Sequence, residues 1–213
     1  GTDDNRANVS PLFGGASALI QCLQRVTGNK NEQETKTART TGLIIKSSPA
    51  PGGNQAILRL GLTVIPLKVG SKVPARKWKG IMHPATAAEQ IKYWGKKSTK
   101  RNIGIRTGAA FDNLVVLDFD SQAAYETFQH NCPELWPLLP TVRTRRGYHV
   151  YVTVPADQTS TRNLRSQDTR QEIDIKGNGG YVVAPGSKVN IDKDGNSIDS
   201  FSYIWLIQPE LKS

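Results

Sequence analysis

Hydrophobic positions along this chain fall into short runs broken by polar, proline and glycine clusters, and the period within each run predicts the element. Leu12, Phe13, Ala16, Leu19, Ile20, Leu23 and Val26 recur at helical spacing and predict a helix over 10–26, with Ser10 as N-cap, Pro11 in its first turn and Gly28 ending it. Gly14 and Gly15 weaken its first turn. Packing on the core is the leading reading of this helix, ahead of a partner contact or an accessory role. Residues 27–41 are polar and read as a mobile linker, 42–46 as a short strand and 49–53 as a turn. From Asn54 the runs become denser: a short helix over 55–60, a stop at Gly61 and a strand over 62–67. Thr86 caps a predicted helix over 87–97, with Ile91 and Trp94 facing inward and lysines outward. Residues 102–108 read as a strand entering a glycine turn, where Gly108 permits close backbone approach to a ligand. Then come a buried strand over 114–120, a helix over 122–129 and a proline-bounded loop over 133–140. Strands over 141–144 and 148–154 flank Arg145-Arg146-Gly147 as a tight hairpin. Residues 159–170 are polar and read as a mobile loop, and 172–176 as a strand that alternates Ile173 and Ile175 against Glu172, Asp174 and Lys176. A glycine turn at 177–180, a returning strand at 181–184, a surface turn at 190–196 and a closing strand at 201–206 complete the chain. No internal repeat is present.

The 213 residues suit one well-buried domain with a small appendage: an N-terminal helix and linker over 1–53, and a compact domain over 54–208. Gly1 in place of Met and the end at Ser213 fit a fragment of something longer. No apolar run approaches the ~20 residues that span a bilayer, so no membrane role is expected. Cys22 and Cys132 lie far apart in unrelated contexts, which argues against a disulfide framework and a zinc cluster and for a reducing, cytoplasmic setting. The 28 basic against 18 acidic residues give a net charge of +10, which favours nucleic acid or nucleotides as partners. Eleven Lys or Arg fall between Lys68 and Arg106 with Glu89 as the only acid, interleaved with Trp78, Tyr93 and Trp94. Such a segment suits a phosphate backbone with stacked bases, and equally suits aromatic core anchors.

Candidate chemistry concentrates at Leu114-Val115-Val116-Leu117-Asp118-Phe119-Asp120. Side chains alternate along a strand, so Asp118 and Asp120 share a face ~7 Å apart along the chain. Two carboxylates side by side repel, which a divalent cation relieves; a hydrated strand end is the equally weighted alternative. His149 follows Arg143, Arg145, Arg146 and Gly147, a context that points to an anion site.

The order GIRTG, LVVLDFD, TVRTRRGYHVYV, EIDIKGNGGYVVAPGS over about 56–206 resembles the bifunctional primase-polymerase domain of the archaeo-eukaryotic primase superfamily, found in phage, plasmid and integrated-element replication proteins. The combination is specific although each motif alone is weak. The resemblance implies an α+β fold, an α/β module joined to an RNA-recognition-like module with the active site between them. It implies DNA polymerase or primase activity, the attack of a 3′ hydroxyl on the α-phosphate of a nucleoside triphosphate. Asp118, Asp120 and Asp174 would be catalytic and hold two Mg²⁺ or Mn²⁺ ions, and His149 would hold the triphosphate. Among Arg143, Arg145, Arg146 and Lys176 one or two would assist, and Arg106 would reach the incoming nucleotide. The implied partners are a DNA template and primer and nucleoside triphosphates, with a helicase or helical priming module allowed in the parent protein.

This chain departs from the family at Gly147, where a serine often stands two positions before the histidine. Two distant cysteines build no zinc-binding stem, and the stretch between the domain and Ser213 is too short to hold the helical priming module that several relatives need. A haloacid-dehalogenase-like phosphatase also places an acid-x-acid pair after a hydrophobic strand, but Ser121-Gln122 follows here and 192–194 makes a poor later motif. A nucleic-acid-binding module whose acids hold only structural metal is the non-enzymatic alternative.

Overall fold

The computed structural model describes residues 16–27, 57, 60, 62–80, 101–165 and 172–209. Its centre is β3 (Leu114–Phe119), buried on both faces apart from Asp118. It carries antiparallel partners on both edges, β5 (Tyr148–Thr153) on one side and β7 (Glu172–Lys176) on the other. β4 (Thr141–Arg143) continues the sheet beyond β5, β6 (Arg162–Arg165) continues it beyond β7, and β11 (Ile204–Ile207) closes the β4 edge. The six-stranded order is β11-β4-β5-β3-β7-β6. A second sheet holds β1 (Val64–Pro66), β2 (Ile103–Arg106) and β8 (Tyr181–Val183) in the order β1-β2-β8, and β9 (Lys188–Ile191) pairs β10 (Ser197–Ser202) as a ribbon. Each described pairing is antiparallel, and with the two α-helices among the described residues the fold is α+β.

Alternation along β3 divides the interior into two cores. Val115, Leu117 and Phe119 point to a face covered by α1 (Ala16–Thr27) and α2 (Gln122–Asn131), where they meet Leu23, Val26, Tyr125 and Phe128. Leu114 and Val116 point to the other face and meet Ile65, Ile105, Val182 and Val189 of the smaller sheets. A central strand apolar on both faces reads as a continuous hydrophobic run, as this one does. α1 buries Leu19, Leu23 and Val26, spaced four and three residues apart, which makes it part of the core. α2 starts where β3 ends because the Ser121 side chain accepts from Ala124 N at 3.1 Å, capping the helix beside Asp120.

Several expectations change. Residues 162–165 of the predicted mobile loop form β6, because the β7 edge offers them a ladder. The predicted surface turn begins inside β9, and the predicted closing strand is two strands broken before Tyr203, which is itself buried. The cysteine reading is overturned: Cys22 and Cys132 form a disulfide, with Cα atoms 5.6 Å apart, because α1 and α2 lie side by side. Sequence distance hid a contact that only helix packing creates. Gly108 (φ 112) brings the backbone against Asn178 of the protein's own β7–β8 turn. The expectations for 10–15, 28–53 and 87–97 lie outside the described residues, as do all but two positions of the predicted helix over 55–60. Among the described residues no helix is long and apolar enough to cross a membrane.

Candidate active site

Strand register assembles the site. Asp118 on β3 stands directly opposite His149 on β5 and Asp174 on β7, and Asn163 on β6 extends the row beyond Asp174. Directly opposed residues project to the same face, here the face of Val116 and Val142 rather than that of the helices. Residues separated by 56 positions therefore become neighbours through backbone pairing alone.

His149 Nε2 lies 3.4 Å from Asp118 Oδ1, and Lys176 Nζ lies 3.8 Å from Asp118 Oδ2. Lys176 Nζ also lies 2.6 Å from Asp174 Oδ2, while Asn163 Nδ2 donates to Asp174 Oδ1 at 2.6 Å. Burial pushes the Asp118 carboxyl up, but the hydrogen bond from His149 and the charges of His149, Lys176 and Lys72 outweigh it and hold the group below its usual range. Asp118 is thus an ionised carboxylate in a largely enclosed place. His149 is 5% exposed, between the rings of Tyr203 and Tyr151, and its Nδ1 is buried with no hydrogen-bond partner. A buried imidazole nitrogen without a partner costs stability unless something else meets it.

Asp118 and His149 of this row open on a cleft of about 430 Å³. Asp118, His149, Asp120, Arg145 and Arg146 line one part of it, the last two from the β4–β5 turn. Thr144 shapes that turn: its hydroxyl accepts from Gly147 N at 3.1 Å and its own N–H donates to the Gly147 carbonyl at 2.9 Å. The β9–β10 ribbon lines another part through Val189, Ile191 and Ile198 and through Asp192 and Lys193 of its turn, with Tyr203 beside them. Lys72 joins the lining and stands 5.8 Å above the Tyr203 ring. The cleft is charged on the β3 side, and on the ribbon side the apolar Val189, Ile191 and Ile198 stand beside the charged Asp192 and Lys193 of the turn, an arrangement suited to an anionic ligand with an apolar part.

Asp118, His149, Asp174 and Lys176 are brought together, and Asp120, Arg145 and Arg146 reach the cleft that Asp118 and His149 line. Asp120 pairs with Arg146 at 3.0 Å, both well exposed. Arg143 pairs in register with Tyr148, whose side chain joins the helix-side core, so Arg143 starts from the opposite face of the sheet from His149. Arg106 does not reach the cleft either. It is 2% exposed, with its guanidinium 4.6 Å from the Trp78 ring centre and 4.5 Å from that of Phe111, and Nη1 donates to the Trp78 carbonyl at 2.9 Å. Burial lowers its pKa. Trp78 also meets Tyr181 edge-on, so it anchors the core. Sequence reasoning missed Lys72, Asn163, Tyr203 and the ribbon; Lys72 lay unmarked among eleven basic residues, and Asn163 in a stretch read as loop.

Two carboxylates face one another across Asp118 and Asp174 with an ammonium against both, which is the environment a hard cation takes. Among the described residues no three His, Cys, Asp or Glu stand close enough together to hold a metal, and Asp120 is paired with Arg146. That outward pair is worth only ~0–1 kcal/mol, so Asp120 is released at little cost.

No curated protein matches the chain. The family model described as "Bifunctional DNA primase/polymerase, N-terminal" matches residues 54–210, and the chain belongs to that family.

Proposed function

We propose that this chain performs template-directed nucleotidyl transfer, as a DNA polymerase, a primase or both, in the cleft beside β3. The carrying observation is the register row that sets Asp118 between His149 and Asp174 at the charged side of that cleft. Membership of the family implies a primase/polymerase enzyme that binds DNA and nucleotides. Asp118 and Asp174, joined by Asp120 on leaving Arg146, would hold Mg²⁺ or Mn²⁺. Such cations, when bound, supply charge neutralisation at the transferred phosphate and acidify the attacking hydroxyl.

The chain's own residues divide the remaining work. His149 lines the cleft with its Nε2 3.4 Å from Asp118 Oδ1, where the imidazole edge would meet a triphosphate oxygen beside that carboxylate. Arg145, Arg146 and Lys72 bring positive charge to the same space. The apolar residues of the ribbon, Val189, Ile191 and Ile198, suit the nucleoside. Bond making joins the primer 3′ oxygen to the α-phosphorus, bond breaking releases pyrophosphate, and the hydroxyl proton passes to solvent.

The test is incorporation of labelled nucleotide onto a primed DNA template with Mn²⁺ or Mg²⁺, beside Asp118→Ala. Extension by the parent chain, reduced at least ~100-fold in the variant, is the expected result. Undiminished extension by Asp118→Ala would remove the aspartate from the chemistry. DNA binding with no incorporation by either chain would make the domain a binding module.

A further inference from the structure

Asp118 and Asp174 are an in-register antiparallel pair, which brings side-chain origins within ~5 Å and makes two like charges there destabilising. Both are more enclosed than an ordinary surface acid, at 22% and 34% exposed. What offsets the repulsion is Lys176, two residues beyond Asp174 on the same face of β7. Its ammonium lies 2.6 Å from one Asp174 oxygen and 3.8 Å from one Asp118 oxygen. The other oxygens are already engaged, by Asn163 on Asp174 and by His149 beside Asp118. Lys176 therefore uses the carboxylate oxygens that remain for a shared cation.

We propose that Lys176 is a positioning residue that serves as a built-in counter-cation: it occupies the place between Asp118 and Asp174 that a divalent ion takes, so that its contacts and metal binding exclude each other. This rests on the reading of Asp118 and Asp174 as metal ligands and adds a competitor to it. A divalent ion and an ammonium on the same oxygens repel strongly in a partly enclosed site. The lysine must therefore leave as the ion enters, which its partly exposed, flexible side chain allows. The lysine keeps two acids together without metal, at the expense of metal affinity.

The experiment is Mn²⁺ titration without nucleotide, by electron paramagnetic resonance of free Mn²⁺ and by calorimetry, on the parent chain, Lys176→Met, Lys176→Arg and Asp118→Asn. Lys176→Met is expected to bind Mn²⁺ roughly tenfold more tightly, the scale of one charge-assisted contact. Lys176→Arg, which keeps the cation, is expected to stay close to the parent. Without metal Lys176→Met is expected to melt lower than the parent, and to gain more from saturating Mn²⁺. Lys176→Gln provides a second neutral replacement should the methionine variant misfold. Mn²⁺ binding that depends on Asp118 but is no tighter in the neutral variants would overturn the proposal and leave the metal site standing. Mn²⁺ binding that Asp118→Asn does not change, in every variant, would overturn the metal reading and the proposal together.

Discussion

Gly147 stands two positions before His149 in the β4–β5 turn, and the structure supplies the reason that neither serine nor alanine belongs there. A β-carbon built there falls 1.8 Å from the Phe119 carbonyl oxygen, 2.8 Å from its carbon and 2.9 Å from Ser121 N. All three are backbone atoms at the junction of β3 and α2, so no side chain can swing aside. Restoring ordinary contact at about 3.4 Å requires the β4–β5 turn to retreat by about 1.6 Å. Overpacking of this kind costs ~1–3 kcal/mol, and loosening one or two ladder hydrogen bonds at Phe119 and Tyr148 adds ~0.5–1.5 kcal/mol each. A total of ~3 kcal/mol corresponds to a fall in Tm of roughly 6–12 °C for a domain of this size. Gly147→Ala and Gly147→Ser should both show it in thermal denaturation. Because the retreat carries His149 away from Asp118, nucleotide incorporation below the melting range should fall as well. Variants that melt within about 1 °C of the parent and retain full incorporation would show that β3 and β5 tolerate the separation, and would refute the close-approach argument.

Arg106→Ala is expected to cost ~3 kcal/mol, since it empties the space between Trp78 and Phe111 and removes two cation–π contacts, while the affinity of the folded fraction for nucleotide stays unchanged. Unchanged stability with weakened nucleotide binding would return this arginine to the substrate. The Cys22–Cys132 bond closes a loop of 110 residues, so reduction or Cys132→Ser should lower stability by ~2–4 kcal/mol. Alkylation of the unreduced, denatured chain should add no mass, and addition at both cysteines would disprove the bond. Asp118 has a folded pKa below its ordinary 3.8, so its contribution to stability is fully present above that value and is lost as pH falls through the lower folded one. In chelator, Asp118→Asn should flatten the acid limb of a denaturation profile below about pH 4, and an unaltered limb would contradict the assigned shift.

Much of the fold was legible because local pattern and tertiary demand agree at β3, β5, β7 and α2. The apolar run ending at Asp118 is buried on both faces, and the alternation of Ile173 and Ile175 sends them to the helix-side core. Where burial is one-sided or borrowed from a neighbour, the pattern was silent. β6 exists only because the β7 edge accepts it, and the ribbon of β9 and β10 has little apolar signal beyond Val189, Ile191, Ile198 and Phe201.

The candidate site divides along the same line. The sequence by itself determined which groups are chemically able: two acids two residues apart on a strand, a histidine among arginines, and a third acid on an alternating strand. Period-two geometry states which face each takes, relative to its own strand. Only the tertiary structure decided which of those faces coincide, because register between strands is set by long-range pairing rather than by neighbours in the chain. That register placed Asp118 beside both His149 and Asp174, brought Lys176 onto the two carboxylates, and turned Arg106 into the core between two rings. It also joined Cys22 to Cys132, through helices whose packing no local pattern encodes.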